Sequence, residues 1–283
     1  MNDARPLVSA AGPADLERRF GGLARLYGEA GYRRIRAARV AVVGVGGVGS
    51  WAAEALARSG VAGLVLIDLD HVSESNVNRQ LQALGATLGQ AKVEALRERI
   101  ADIHPGCDVV PVEAFVDADN WPVLLPWPVD AVVDACDQVR AKAVLAAWAL
   151  GGPIGLATTG AAGGKRQPQA VQVADLAEAT HDPLLAALRQ RLRQHHGAAR
   201  HGPIGLSCVF SREAVVRPEG DATVAGGLHC HGYGSSVAVT ATFGMVAAGL
   251  TLEAIAAREE PRPETLYSRA RRVVSSVGRA VDF

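Results

Sequence analysis

Gly44, Gly46 and Gly49 stand in the order G-x-G-x-x-G within VAVVGVGGVGSWAAEAL, after a strand-like apolar run and before a helical one. Without side chains at such a turn, backbone N–H groups and the helix N-terminus can approach a phosphate. Asp68 follows 19 residues past Gly49, where a carboxylate can accept ribose hydroxyls. By itself that pair favours NAD. The next loop, DLDHVSESNVNRQ, opposes a dehydrogenase, because it gathers Asp70, Asn76, Asn78, Arg79 and Gln80 where hydride transfer needs little of this. Arg79 offers a planar fork of donors for phosphate oxygens, and Asn76 can fix a ribose or phosphate oxygen. GQAK then places Lys92 in the first turns of a helix, and a compact ammonium suits a phosphate. Only Lys92, Lys142 and Lys165 are lysines among 29 basic residues, so this one is unlike a generic surface charge. Finally, VVDACDQVR ends a buried strand with Asp134 and Asp137. Two such carboxylates at a strand's carboxyl end can hold Mg²⁺ or orient an acceptor near a phosphate. Asp137 is the metal candidate; Asp134 either joins it or caps the following helix.

These residues need an α/β frame to bring them together. Strands at Val40–Val43, Leu64–Asp68, Val109–Phe115, Val129–Ala135 and Pro153–Thr158 alternate with helices at Ser50–Ser59, Gly89–Ile103 and Arg140–Leu150. Such alternation predicts a Rossmann-like, mostly parallel sheet flanked by helices, with binding sites at the carboxyl ends of its strands. After Gly164 the rhythm changes to antiparallel C-terminal additions, QAVQVADL and LSCVFSREAVV. Between them runs an amphipathic basic helix from Asp182 to about His195. The stretch Arg217–Gly234 reads as a loop, and Pro261–Phe283 as a basic, poorly periodic tail. We expect one domain over residues 1–283, with a nucleotide-binding half at about 19–160 and a substrate and dimer half at about 161–260.

Composition narrows the class. Lys+Arg and Asp+Glu are both 29, so any nucleic-acid contact must come from a local patch. The basic helix offers one, with Arg189, Arg191, Arg193, His195, His196, Arg200 and His201; Arg269, Arg271 and Arg272 in the tail offer another. Cys107, Cys136, Cys208 and Cys230 form no C-x-x-C pair, which argues against a zinc knuckle or disulfide scaffold and fits a reducing, cytoplasmic setting. The N-terminus does not resemble a signal peptide. Val237–Ala257 is long enough to span a bilayer, but its threonines, Glu253 and many small residues favour a helix buried against the sheet or a second subunit. No membrane partner is expected.

Taken together, GVGGVGS, LIDLD, SNVNRQ, GQAK and DACD resemble the adenylating superfamily of ubiquitin-activating-type enzymes, which join a carboxylate to AMP. The resemblance runs from about Arg19 to about Ala257 and decides the phosphate question for ATP. It implies that Gly47 contacts the nucleotide, Asp68 the ribose, Asn76, Arg79 and Lys92 the phosphates, and Asp137 the Mg²⁺. It also implies a homodimer in which an N-terminal arginine reaches the partner's triphosphate; RRFGGLARLYG offers Arg19 and Arg25, with Arg25 preferred.

Within the superfamily, RFGGLARLYG, TTGAAGG, DPLLAALRQRLR, CVFSREAVV and VTATFG are similar to the bacterial tRNA threonylcarbamoyladenosine dehydratase family. That resemblance implies ATP-dependent cyclisation of a threonylcarbamoyl group on a tRNA adenosine beside the anticodon. It also implies a catalytic-region role for Cys230 in LHCHGYG and a sulfur-relay partner of the cysteine desulfurase system. Three rivals make different demands. A sulfur-carrier adenylase would bind a flexible Gly-Gly tail, an NAD-dependent oxidoreductase would tolerate loss of Lys92, and a nucleotide-binding scaffold would bind ATP without turnover.

Overall fold

A computed structural model describes residues 14–216 and 233–258. Five strands, β1 (Arg39–Val43), β2 (Gly63–Ile67), β3 (Asp108–Val112), β4 (Ala131–Asp134) and β5 (Gly155–Thr159), run parallel. With β6 (Val171–Asp175) and β7 (Ser207–Ser211) they form a seven-stranded sheet in the order β3-β2-β1-β4-β5-β7-β6. The helices are α1 (Leu16–Phe20), α2 (Ala24–Ala37), α3 (Gly49–Arg58), α4 (Lys92–Ile103), α5 (Val139–Leu150), α6 (Pro183–His195) and α7 (Val237–Ala256).

The period-two alternation of β1 decides the layers. Val40 and Val42 join Leu64, Leu66 and Val133 under α2, α3, α4 and α7, whereas Ala41 and Val43 join Val65, Ile67 and Val132 under α5. α6 packs on α5 through Leu185, Leu188 and Leu192. Both faces of the central strands are covered, which is why those strands read as unbroken apolar runs.

Sequence and structure differ in three places. Strand β3 stops at Val112 rather than Phe115, where the chain has left the register with β2. α4 begins at Lys92, because 85–87 form a separate turn and Gly89 adopts φ +82°. The C-terminal additions are also not both reversed: β7 pairs parallel with β5, and only the edge strand β6 is antiparallel. The crossover through α6 returns the chain to the sheet inside β6, alongside β5.

Helix α7 has the length and apolarity of a membrane span, and half of it is buried within the fold. A Cβ at its Gly244 would overlap the Val48 carbonyl and crowd Ala52 N at 2.9 Å, so α7 lies almost directly on the first turn of α3.

At the C-terminal end of α4, buried His104 packs against Phe20 at 4.7 Å between centroids with the rings tilted by 55°, and Arg36 Nη1 lies 3.1 Å from its Nε2. Burial, then the Arg36 charge, lowers its pKa below the ordinary 6.5. The folded protein thus keeps His104 neutral where the unfolded chain protonates it. Its contribution to stability is complete above the unfolded pKa and is lost as pH falls below it, by at most about 1.4 kcal/mol per pH unit. Urea melts at pH 7 and pH 5 should show a smaller acid-induced loss for His104→Phe than for the parent; equal losses would refute this assignment.

Candidate active site

The glycine turn sits at the carboxyl edge of the sheet, where β1 hands over to α3. Gly44 adopts φ +81°, and a Cβ there would meet Ala135 O and Cys136 N at 2.9 Å. A Cβ at Gly49 would overlap Gly44 O, so both glycines are needed to close the turn. Gly46 and Gly47 serve a different purpose. The nearest atom to a Cβ at Gly46 is Gln80 Nε2 at 3.8 Å, and at Gly47 it is Arg79 Cγ at 3.3 Å, so their backbone stays open to a ligand beneath those side chains.

Asp68 closes the turn from β2. Its Oδ2 accepts from Val45 N at 2.8 Å and its Oδ1 from Asp70 N at 2.9 Å. Burial raises its pKa, against the opposing pull of Lys92 and these two N–H donors. Lone pairs remain for a hydroxyl-bearing ligand.

Lys92 opens α4 with a buried side chain, and its Nζ meets Asp70 Oδ2 at 2.7 Å. Arg79 donates through Nη1 to Ser75 O at 2.6 Å and to Asn78 Oδ1 at 3.0 Å. Its own carbonyl is fixed by Trp51 Nε1 at 3.0 Å. Asn76 is buried, with its Oδ1 accepting from Ser73 N at 3.0 Å in a reciprocal cap. Asn78 ties the loop to the start of α7 by donating to Ser235 O at 3.0 Å.

The two carboxylates after β4 part company. Asp134 is fully buried: Lys142 Nζ lies 3.0 Å from its Oδ2, Thr158 Oγ1 donates to it, and Cys136 N approaches Oδ1 at 3.3 Å. It neither caps α5, whose N-cap Gln138 carries no side-chain cap bond, nor faces a ligand. Asp137 instead lines the cavity, half-buried, with no hydrogen-bonding partner among the described residues.

Gly44, Gly46, Gly47, Asp68, Asn76, Arg79, Lys92 and Asp137 border one cavity of about 410 Å³, a size in the range of small-molecule sites, whereas Gly49, Asn78 and Asp134 do not line it. Phe115 and Val116 line its β3 end, and Thr159–Gly163 its β5 end. Sequence reasoning gave Gln80 no role, yet it is buried in this wall with Oε1 unpartnered among the described residues. Its place in the polar loop was the available signal. A buried orphan acceptor beside open backbone N–H groups fits a nucleotide that brings both donors and acceptors. No cluster of three or more His, Cys, Asp or Glu occurs among the described residues. A lone carboxylate suits a Mg²⁺ that arrives with phosphates and keeps its waters.

Other expected residues fall elsewhere. Arg19 Nη1 donates to Asp102 O and Ile103 O, closing α4 about 17 Å along the helix from Lys92. Arg25 is exposed on α2. On α6, Arg189 holds Leu176 O and Ala179 O, and Arg193 holds Ala199 O, so both serve their own loops first. Cys230 and the arginines 269, 271 and 272 lie outside the described residues. The chain on either side of 217–232 converges on Gly164, whose N donates to Gly234 O and whose O accepts from Val216 N, both at 2.8 Å.

A parallel sheet with a glycine turn, a ribose-suited acid and a phosphate-suited arginine and lysine at its carboxyl edge defines a nucleotide-binding class. The chain belongs to the ThiF family, which it matches over residues 19–274. It is 45% identical over 252 residues to the tRNA threonylcarbamoyladenosine dehydratase of Escherichia coli, covering 85% of this chain and 94% of that protein. With the enzyme of the same name from Haemophilus influenzae it shares 39% identity over 242 residues, 84% of this chain and 93% of the other. The crystal structure of the E. coli tRNA N6-threonylcarbamoyladenosine dehydratase in complex with ATP superposes with a TM-score of 0.77 at 42% identity, covering 93% of this chain and 99% of that one.

Proposed function

We propose that the chain is an ATP-dependent tRNA threonylcarbamoyladenosine dehydratase, which activates a substrate carboxylate as an acyl adenylate and closes it into a ring with loss of water. One observation carries the reading: groups suited to base, ribose, phosphate and metal follow one another in strand order along one cavity. Phe115 beyond β3, Asp68 at β2, the glycine turn after β1 and Asp137 after β4 occupy successive strand spacings of about 4.8 Å. An extended nucleoside triphosphate fits such a line.

A free carboxylate is a poor electrophile because oxide would have to leave, and AMP is a far better leaving group. Gly46 and Gly47 would present the backbone to the nucleotide in a turn that Gly44 and Gly49 close, with Asp68 on the ribose and Asn76 beside the phosphates. Arg79 and Lys92 would stabilise charge growing on the α-phosphate and pyrophosphate. Their present partners, exposed Asp70 and two groups of the 75–78 loop, are ones that phosphate oxygens can replace. Asp137 would hold Mg²⁺, which when bound offsets phosphate charge. No covalent enzyme intermediate is required.

We read residues 1–283 as one adenylating domain, with halves at about 19–160 and 161–260, acting as a cytoplasmic homodimer. The outward side of α7 supports the dimer: Val237 and Met245 are more than two-fifths exposed, as are nearby Leu26 and Val77. Arg25 is the arginine left to reach a partner's site, since Arg19 caps α4. For tRNA, Arg191 and Arg200 are the arginines of the patch at α6 that carry no structural bond among the described residues. A role for Cys230 with a sulfur-relay protein rests on the family resemblance alone.

The test is incubation with ATP, Mg²⁺ and threonylcarbamoyl-modified tRNA, followed by mass spectrometry of the nucleosides. The expected result is AMP release with loss of one water from the modified nucleoside. AMP release that instead requires a carrier protein ending in Gly-Gly would overturn the reading in favour of sulfur-carrier adenylation.

A further inference from the structure

The cavity extends one strand beyond Asp137, to the wall formed by Thr159, Gly160, Ala161, Ala162 and Gly163 after β5. In the line of subsites proposed above, this wall is where the acyl substrate must lie, past the α-phosphate and the metal carboxylate. Nothing within the loop itself holds it in shape: Gly160 N donates to Val209 O at 2.8 Å, and Gly164 binds the flanks of 217–232. Between these anchors Ala162 packs into the core, and among the described residues the hydrogen bond that ties the wall to the fold comes from a residue 21 positions from Ala161, Asp182, whose Oδ2 accepts from Ala161 N at 2.9 Å.

Asp182 is 3% exposed and bonded on both oxygens. Its Oδ1 accepts from Leu185 N at 3.0 Å and caps α6, while Oδ2 faces the wall so closely that a Cβ on Gly160 would overlap it. The preceding residue, His181, takes φ +59°, a conformation costly for any residue with a side chain, and this delivers Asp182 to its position. Leu184, the second residue of α6, borders the same cavity. Burial pushes the Asp182 carboxyl up, while the N–H groups of Leu185 and Ala161 pull it back, so the carboxylate depends on both bonds. A helix cap alone needs one oxygen and neither a glycine opposite nor a strained neighbour.

We propose that Asp182 is a positioning residue for the acyl substrate: by clasping Ala161 N–H while capping α6, it sets the 160–163 wall opposite Asp137 and so places the carboxylate for attack on the α-phosphate. The proposal rests on the function given above, and its test separates the two. Asp182→Asn keeps an oxygen for Leu185 N–H but turns an amide NH₂ toward Ala161 N–H; Asp182→Ser still caps the helix but is too short to reach the wall.

Both variants should bind ATP within about twofold of the parent yet dehydrate modified tRNA at least about tenfold more slowly at saturation, as displaced reactants do. Unchanged kcat in both, or ATP affinity falling in step with kcat, would overturn the proposal. A thermal double-mutant cycle reads the contact directly. Gly160→Ala should destabilise the parent but be tolerated in Asp182→Ser, where the opposing oxygen is gone; additive effects would equally overturn it. If the parent chain dehydrates no tRNA, the functional reading fails while the cycle still judges the clasp.

Discussion

Asp137→Asn should slow AMP formation by about a hundredfold to a thousandfold without loosening the fold. The substitution keeps shape and removes only the charge of a half-buried carboxylate that has no partner among the described residues, so none of them is orphaned by it. Surface-like changes of this kind move stability by about 0.5 kcal/mol or less. What is lost is a charged oxygen ligand for Mg²⁺. Raising Mg²⁺ should therefore recover part of the rate, because the ion keeps its phosphate and water ligands. Pyrophosphate exchange against Mg²⁺ concentration, with a melting curve alongside, checks both halves. A variant of full activity at low Mg²⁺ would remove Asp137 from the site.

The reverse pattern is expected of the pair that Asp134, three residues upstream, makes with Lys142. Lys142→Met should destabilise the protein by about 3–5 kcal/mol, the usual cost of leaving one member of a buried ion pair without its partner. Both side chains of the Lys142–Asp134 pair are wholly inaccessible to solvent, and Asp134 also accepts from Thr158 on β5. Adding Asp134→Leu to Lys142→Met should recover much of that loss, since an apolar pair leaves no charge unsatisfied. Urea unfolding measures both variants; a single substitution costing under about 1 kcal/mol would show that the pair is not the anchor its burial indicates. The β4–β5 junction would also lose its cross-strand link, so the loop bearing Asp137 should become less well placed.

The contrast between these aspartates marks what the sequence could reveal. Asp137, Asp68, Lys92 and the glycine turn were legible because each lies at a boundary between a strand and the next segment, and local pattern locates such boundaries well. Asp134 was not, because its role depends on Lys142 one turn into α5 and on Thr158 in the neighbouring strand, neither of which spacing connects to it. The order of β7 and β6 was lost for a similar reason. Alternating apolar residues identify a strand but not its direction, and the crossover through α6 decides which strand takes the inner place. The β5 wall was readable as the string TTGAAGG, but its clasp by Asp182 across 21 residues was not. Arg19, offered by resemblance as the alternative to Arg25, donates to carbonyls at the end of α4, a long-range contact that local spacing does not show.

All three lysines of this chain are buried, Lys92 at 5%, Lys142 at 0% and Lys165 at 2% exposure. Positive charge on the outer surface is thus carried by guanidinium groups, and the native molecule offers acylating reagents scarcely any amine beyond its α-amino terminus. Succinimidyl esters or lysine-directed cross-linkers should accordingly mark this protein in proportion to its unfolding. A chemistry normally used to map surfaces becomes, for this chain, a gauge of how often its interior opens.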